Sequence, residues 1–130
     1  MVSIMLERYY KLKINYDTYI LFIKKGNFYY CYKKDAYIIH YLLRYKIIDE
    51  VVAFPLNAID KVLNILYEND LSIIIYDGII LDKIYGDSNK YNQIYTKSLE
   101  YSNKEKIINK INDKIKSYTL EELLKLVSTI

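Results

Sequence analysis

Strand-like and helix-like segments alternate over the first 85 residues, which predicts an α/β protein with a mixed β-sheet flanked by helices. Two short glycine turns, Gly26-Asn27 and Asp77-Gly78, each separate a pair of strand-like runs and predict antiparallel hairpins within that sheet. After the Gly, Asp, Ser and Asn residues of 86–92 the chain becomes rich in Lys, Glu and Asn with isoleucines at helical spacing, which predicts a C-terminal helical extension. The expected organisation is a core over 1–85 and an extension over 86–130 that packs on the core or on a partner.

Met5, Tyr9 and Leu12 fall on one face of a helix over Ile4–Ile14, with Ser3 as its cap and Asn15 closing it. Thr18 to Lys24 is short, β-branched and aromatic, as befits a strand buried on both faces. Beyond the turn, Phe28 to Tyr32 forms the return strand. Lys33 to Tyr45 changes to helical period, with Ala36, Ile39, His40 and Leu43 on one face and Asp35 in the first turn. Lys46 to Phe54 reads as strand, and Pro55 suits the first position of a helix that turns Leu56, Ile59, Leu63 and Leu66 inward and ends near Asn69. Leu71 to Tyr76 and Ile79 to Tyr85 are the last strands, and 86–92 is a loop. Ile107, Ile108, Ile111 and Ile115 stripe the long helix that follows. Thr119 and Glu122 then form a capping box ahead of Leu120, Leu123, Leu124 and Val127.

A chain of 130 residues suits one core. Hydrophobic residues at 52% place it among folding rather than disordered sequences. A net charge of +3 permits phosphate contact without announcing it. Seventeen tyrosines accompany heavy use of Ile, Lys and Asn, so they follow a compositional bias rather than a function. Cys31, the lone cysteine, excludes an intramolecular disulfide and fits a reducing compartment. No signal peptide is expected, and charged residues interrupt every apolar run before the roughly 20 residues of a membrane span, so a soluble cytoplasmic protein is expected.

The hairpin is the segment that carries chemistry, because it runs an apolar strand into a glycine turn and sets Phe28 just beyond it. Phe28 is either a buried core residue or a ring shown to a ligand. On the same strand face, Tyr30 offers a phenol that donates, accepts and stacks. Lys24, Lys25 and Lys33, with Lys34, bracket the hairpin, either gripping phosphates or serving as solvated strand ends. His40 lacks a second ligand or acidic partner at useful spacing, and Cys31 has no activating histidine. Asp49-Glu50, Asp77 and Asp82 have no basic catalytic partner in the pattern. No enzyme signature, metal cluster or cofactor motif emerges.

Several of these segments, in order, resemble the mismatch-recognition domain that opens MutS DNA mismatch repair proteins. Gly26-Asn27-Phe28-Tyr29 is similar to the family's Gly-Asp-Phe-Tyr, and Leu21-Phe22 to its preceding strand. Met5, Tyr9, Leu12 and Lys13 resemble Met-x-x-x-Tyr-x-x-Leu-Lys, and Lys34-Asp35-Ala36 resembles Glu-Asp-Ala. Phe54 to Ile59 resembles the Pro-Tyr-His-Ala segment, and Leu71 to Tyr76 the strand after it.

The resemblance implies a MutS domain I-like fold, no catalysis, DNA as partner and Phe28 as a wedge beside a weakened base pair. Asn27, Lys24, Lys25, Lys33 and Tyr30 join Phe28 as the expected contacts. Tyr30 stands where the family keeps a glutamate, which implies less selectivity for mismatches and a broader taste for distorted or single-stranded DNA. The family's basic loop is nearly absent from Arg44 to Val52, and no GxxxxGK[ST] motif occurs, so any ATP-driven step falls to a partner. The rival expectation is an interaction module that kept the fold, lost DNA binding, and pairs with itself or another protein through its C-terminal helices.

Overall fold

The computed structural model describes residues 4–129 and contains five strands and five α-helices. Helix α1 spans Ile4–Lys13, so the expected cap Ser3 lies outside the described residues. Strands β1 (Tyr19–Lys25) and β2 (Phe28–Tyr32) form the expected hairpin. Helix α2 (Lys33–Leu43), strand β3 (Val51–Pro55) and helix α3 (Ile59–Glu68) lead to β4 (Ser72–Tyr76) and β5 (Ile80–Ile84). Helices α4 (Ser88–Lys116) and α5 (Leu120–Ser128) complete the chain.

The sheet runs in the order β3-β2-β1-β4-β5. It is mixed, because β1 and β4 are parallel while the other neighbours are antiparallel. Strand β1 is the central strand and is buried on both faces, with Ile20, Leu21, Phe22 and Ile23 all sealed from solvent. Ile20, Phe22, Cys31, Val52, Phe54, Ile73 and Ile75 pack under α2, α3 and the start of α4, which contributes Tyr91 and Ile94. On the opposite face Leu21, Ile23, Tyr32 and Ile74 pack against Met5, Tyr9 and Leu12 of α1.

Several boundaries differ from those read from sequence, each for a local reason. Helix α2 stops at Leu43 because Arg44 turns left-handed (φ +61°) and donates its N–H to the His40 carbonyl. Its buried face is Asp35, Ala36, Ile38 and Ile39, while His40 sits at the margin with Nδ1 2.6 Å from the Tyr45 carbonyl. Residues 46–50 are not strand. Asp49 and Glu50, both at positive φ, form a tight turn between Ile48 and Val51, whose backbones exchange two hydrogen bonds of 3.0 Å.

Pro55 ends β3 instead of starting a helix, since an edge strand tolerates a residue without an N–H. A 3₁₀ turn, Leu56–Ala58, separates it from α3, whose most buried residues are Val62 and Leu66. The Asp77-Gly78 turn takes in Ile79 as well, with Gly78 at φ +73° and the pairing shifted at Ile75/Tyr76. Helix α4 starts at Ser88, inside the expected loop, because the Asp87 carboxylate accepts the Asn89 N–H at 2.9 Å.

The chain divides into two compact units, one ending at Leu99 and the other beginning at Glu100. In the second, Thr119 and Glu122 form the expected capping box. Ile107, Ile108, Ile111, Leu120, Leu124 and Val127 are exposed there, whereas Ile115 and Leu123 are half-buried.

Candidate nucleic-acid interface

The hairpin tip is built from the backbone outward. Gly26 sits at φ +59°, a left-handed conformation that strains any side chain, and this closes the reversal in two residues. The Asn27 carbonyl accepts the Leu56 N–H at 3.0 Å, which ties the tip to the 3₁₀ turn after β3. Phe28, next along, faces Lys25 on one neighbour and Pro55 on the other. The residue is 44% exposed, and its ring contacts no other aromatic ring among the described residues. Exposed apolar side chains such as Ile14, Tyr67 and Tyr85 occur elsewhere on this surface, so what sets Phe28 apart is its place at a pinned turn.

Alternation along β2 decides which neighbours Phe28 has. Tyr30 and Tyr32 share its face, and Ile23 and Ala53 flank Tyr30 across the sheet. Tyr30 is half-buried, and its ring lies nearly parallel to that of Tyr32, with centroids 6.4 Å apart and planes at 17°. Tyr32 is buried and touches Tyr9 of α1 at 5.6 Å. Burial pushes the Tyr32 hydroxyl above the ordinary phenol range, so it stays neutral. Tyr29 points to the other face, against Phe22 and Phe54.

The lysines do not gather around Phe28. Lys25 does, exposed and directly across from it. Lys24 alternates onto the opposite face and makes a 3.7 Å ion pair with Asp77. Lys33 lies at the far end of β2, about 16 Å along the strand from Phe28. There it pairs with Glu50 at 3.3 Å, and that contact raises its affinity for a proton. A cleft of about 270 Å³ opens beside it, lined by Tyr9, Tyr10, Lys13, Asp17, Lys33 and Lys34.

A polar cluster that sequence reasoning did not see as buried joins helices to the central strand. Asp35, fully enclosed, is paired with Lys13 at 3.0 Å and accepts hydrogen bonds from the Tyr91 hydroxyl at 2.6 Å and the Leu21 N–H at 3.0 Å. Lys13 also donates to the Tyr19 carbonyl at 2.6 Å. Burial pushes the Asp35 carboxyl above the usual carboxylate range, and Lys13, Tyr91 and the Leu21 amide pull it back. The cluster fastens α1, β1, α2 and α4 together, with Asp35 sealed from solvent and Lys13 also lining the cleft. Cys31 is likewise sealed, its thiol pushed well up by burial and then by Asp35. Among the described residues no three His, Cys, Asp or Glu side chains come together as a metal site. No helix there is long and apolar enough to cross a membrane.

Fold and tip together define a small mixed-sheet α/β module with an exposed aromatic side chain just past a hairpin turn. The family model for MutS domain I matches residues 3–99, well over half of the chain, and the protein belongs to that family. No curated protein matches it.

Proposed function

We propose that this domain binds DNA without catalysing a reaction, using Phe28 as a wedge at base steps weakened by mispairing or distortion. The observation that carries the reading is the exposed Phe28 side chain on a pinned hairpin in a chain of the MutS domain I family. Unstacking a base step costs a few kcal/mol and least at a mispair, so an aromatic edge at a rigid tip selects such steps. Lys25 and Asn27 accompany the wedge, Tyr30 supplies a second ring, and Lys24 reaches phosphate on release from Asp77. Lys33 is too far along β2 to touch the same base step. The lone, buried Cys31 supports a reducing, cytoplasmic setting.

Equilibrium titration of labelled oligonucleotides at low salt tests the reading. A mismatched duplex binds more tightly than its matched counterpart, and Phe28→Ala removes the difference. Retained mismatch preference in that variant refutes the wedge.

A second reading, an interaction module, has its own observation in the exposed row Ile107, Ile108, Ile111, Leu120, Leu124 and Val127. Absence of any DNA binding, together with self-association in sedimentation, replaces the first reading with the second.

A further inference from the structure

We infer that the cleft between α1 and the start of α2 binds a nucleoside monophosphate, with its base against Tyr10 and its phosphate on Lys33 and Lys34. The cleft measures about 270 Å³ and is lined by Tyr9, Tyr10 and Lys13 of α1, Asp17 of the loop that follows, and Lys33 and Lys34 of α2. Pockets for drug-sized ligands begin at roughly 300 Å³, so this one suits a single base with one charged group. Lys33 follows the end of β2 farthest from Phe28, and the wedge makes no use of the cleft.

The three lysines differ in what they have left to give. Lys13 spends its donors on Asp35 at 3.0 Å, the Tyr19 carbonyl at 2.6 Å and the Tyr91 hydroxyl at 3.3 Å, so it belongs to the floor. Lys34 is exposed, pairs with no carboxylate among the described residues and rests 5.1 Å from the Tyr95 ring centre. Lys33 meets Glu50 at 3.3 Å, with the two side chains 37% and 46% exposed. An ion pair so open to water is worth about 0–1 kcal/mol, and an ammonium has three donors, so Lys33 can turn to a stronger anion. A phosphate monoester is that anion, since it brings close to two negative charges and several acceptor oxygens to two neighbouring ammonium groups.

The other walls select what the phosphate is attached to. Tyr9 and Tyr10 stand edge to face, with centroids 5.6 Å apart. Tyr9 is buried while Tyr10 is half exposed, so Tyr10 is the ring with surface left for a ligand. A flat base stacks on such a ring whatever its identity. Asp17 adds a preference. It is exposed, makes no ion pair among the described residues, and its carboxylate only accepts hydrogen bonds. Adenine and cytosine offer it an exocyclic amine, whereas uracil puts a carbonyl at that edge.

The test is an amide NMR titration of the isotope-labelled full chain with AMP, UMP, adenosine and inorganic phosphate. AMP binds most tightly and shifts the amides around Tyr10, Asp17 and Lys34. Adenosine and inorganic phosphate each bind roughly tenfold more weakly, because each lacks one half of the contact, and UMP binds roughly fivefold more weakly. Tyr10→Leu and Lys34→Met each weaken AMP binding at least about fivefold, and Asp17→Ala brings AMP down to the level of UMP. All three side chains are exposed, and an unchanged thermal midpoint verifies that each variant folds. AMP and inorganic phosphate binding alike, with no response to Tyr10→Leu, would reduce the cleft to a general anion patch and overturn the inference. Amide shifts confined to the β1–β2 hairpin overturn it too, as does the lack of any AMP binding up to about 5 mM. None of these results bears on Phe28, so the inference and the DNA reading fail separately.

Discussion

Asp35 holds a charge where solvent cannot reach it, and its three donors come from three different elements. Removing one partner of such a pair leaves the other without its counter-charge, which costs about 3–5 kcal/mol in buried pairs. Asp35→Ala is therefore expected to destabilise the domain by about 3 kcal/mol or more in urea unfolding. Adding Lys13→Met recovers part of that loss, and additive costs from the two substitutions would contradict a coupled pair. The same cluster makes the protein sensitive to base. Burial, and then Asp35, pushes the Tyr9 and Tyr91 phenols far above their ordinary value of 10.0 and the Cys31 thiol above 9.0. The folded chain keeps these protons while the unfolded chain releases them, so their stabilisation is complete below those values and is lost as pH rises through them. Each group contributes a fall of about 1.4 kcal/mol per pH unit. Melting temperatures taken from about pH 8 to pH 11 are expected to drop ever more steeply, and a flat profile would refute the assignment.

At the level of elements, what was legible in the sequence is what depends on neighbours in the chain. The run Ile20 to Ile23 has no polar residue in its period and becomes the strand buried on both faces, and Gly26-Asn27 forces the reversal that displays Phe28. The α5 capping box lies within four residues and is likewise readable. Pro55 reads as a helix start but ends an edge strand, because proline suits both positions and only the strand order decides between them. The start of α4 was hidden among turn formers at 86–92, since Asp87 serves as a cap rather than a loop residue. Burial of Asp35 had no local signal. Its partners Lys13 and Tyr91 lie 22 and 56 residues away, and an aspartate in a first helical turn looks like an ordinary exposed favourable charge. For the candidate site, Phe28 and Tyr30 on one face followed from strand alternation. The separation of Lys24 and Lys33 from them required the register and the ion pairs with Asp77 and Glu50.

For the molecule as a whole, the matched family region and the first compact unit both end at residue 99, so the hairpin, its sheet and the Asp35 cluster form one body. Its electrostatics set how firmly that body can hold a polyanion. The chain carries 19 basic against 16 acidic side chains, and several of the lysines near the sheet already have partners. Lys13, Lys24 and Lys33 have carboxylate partners, while Lys34 and Lys83 lie over the rings of Tyr95 and Tyr16. Lys25 pairs with no carboxylate among the described residues and stands beside Phe28. If Lys25 and a Lys24 released from Asp77 are the cations that meet phosphate, about two counterions leave a single strand, and the logarithm of affinity falls with the logarithm of salt at a slope of about −1.4. Raising salt from about 50 to 200 mM then weakens binding only about sevenfold, because stacking on the rings carries the remainder and is insensitive to screening. Anisotropy titrations across that range measure the slope directly. A fall of a hundredfold would mean that several more lysines grip the backbone, and would move the contact surface along β2 toward Lys33 and Lys34.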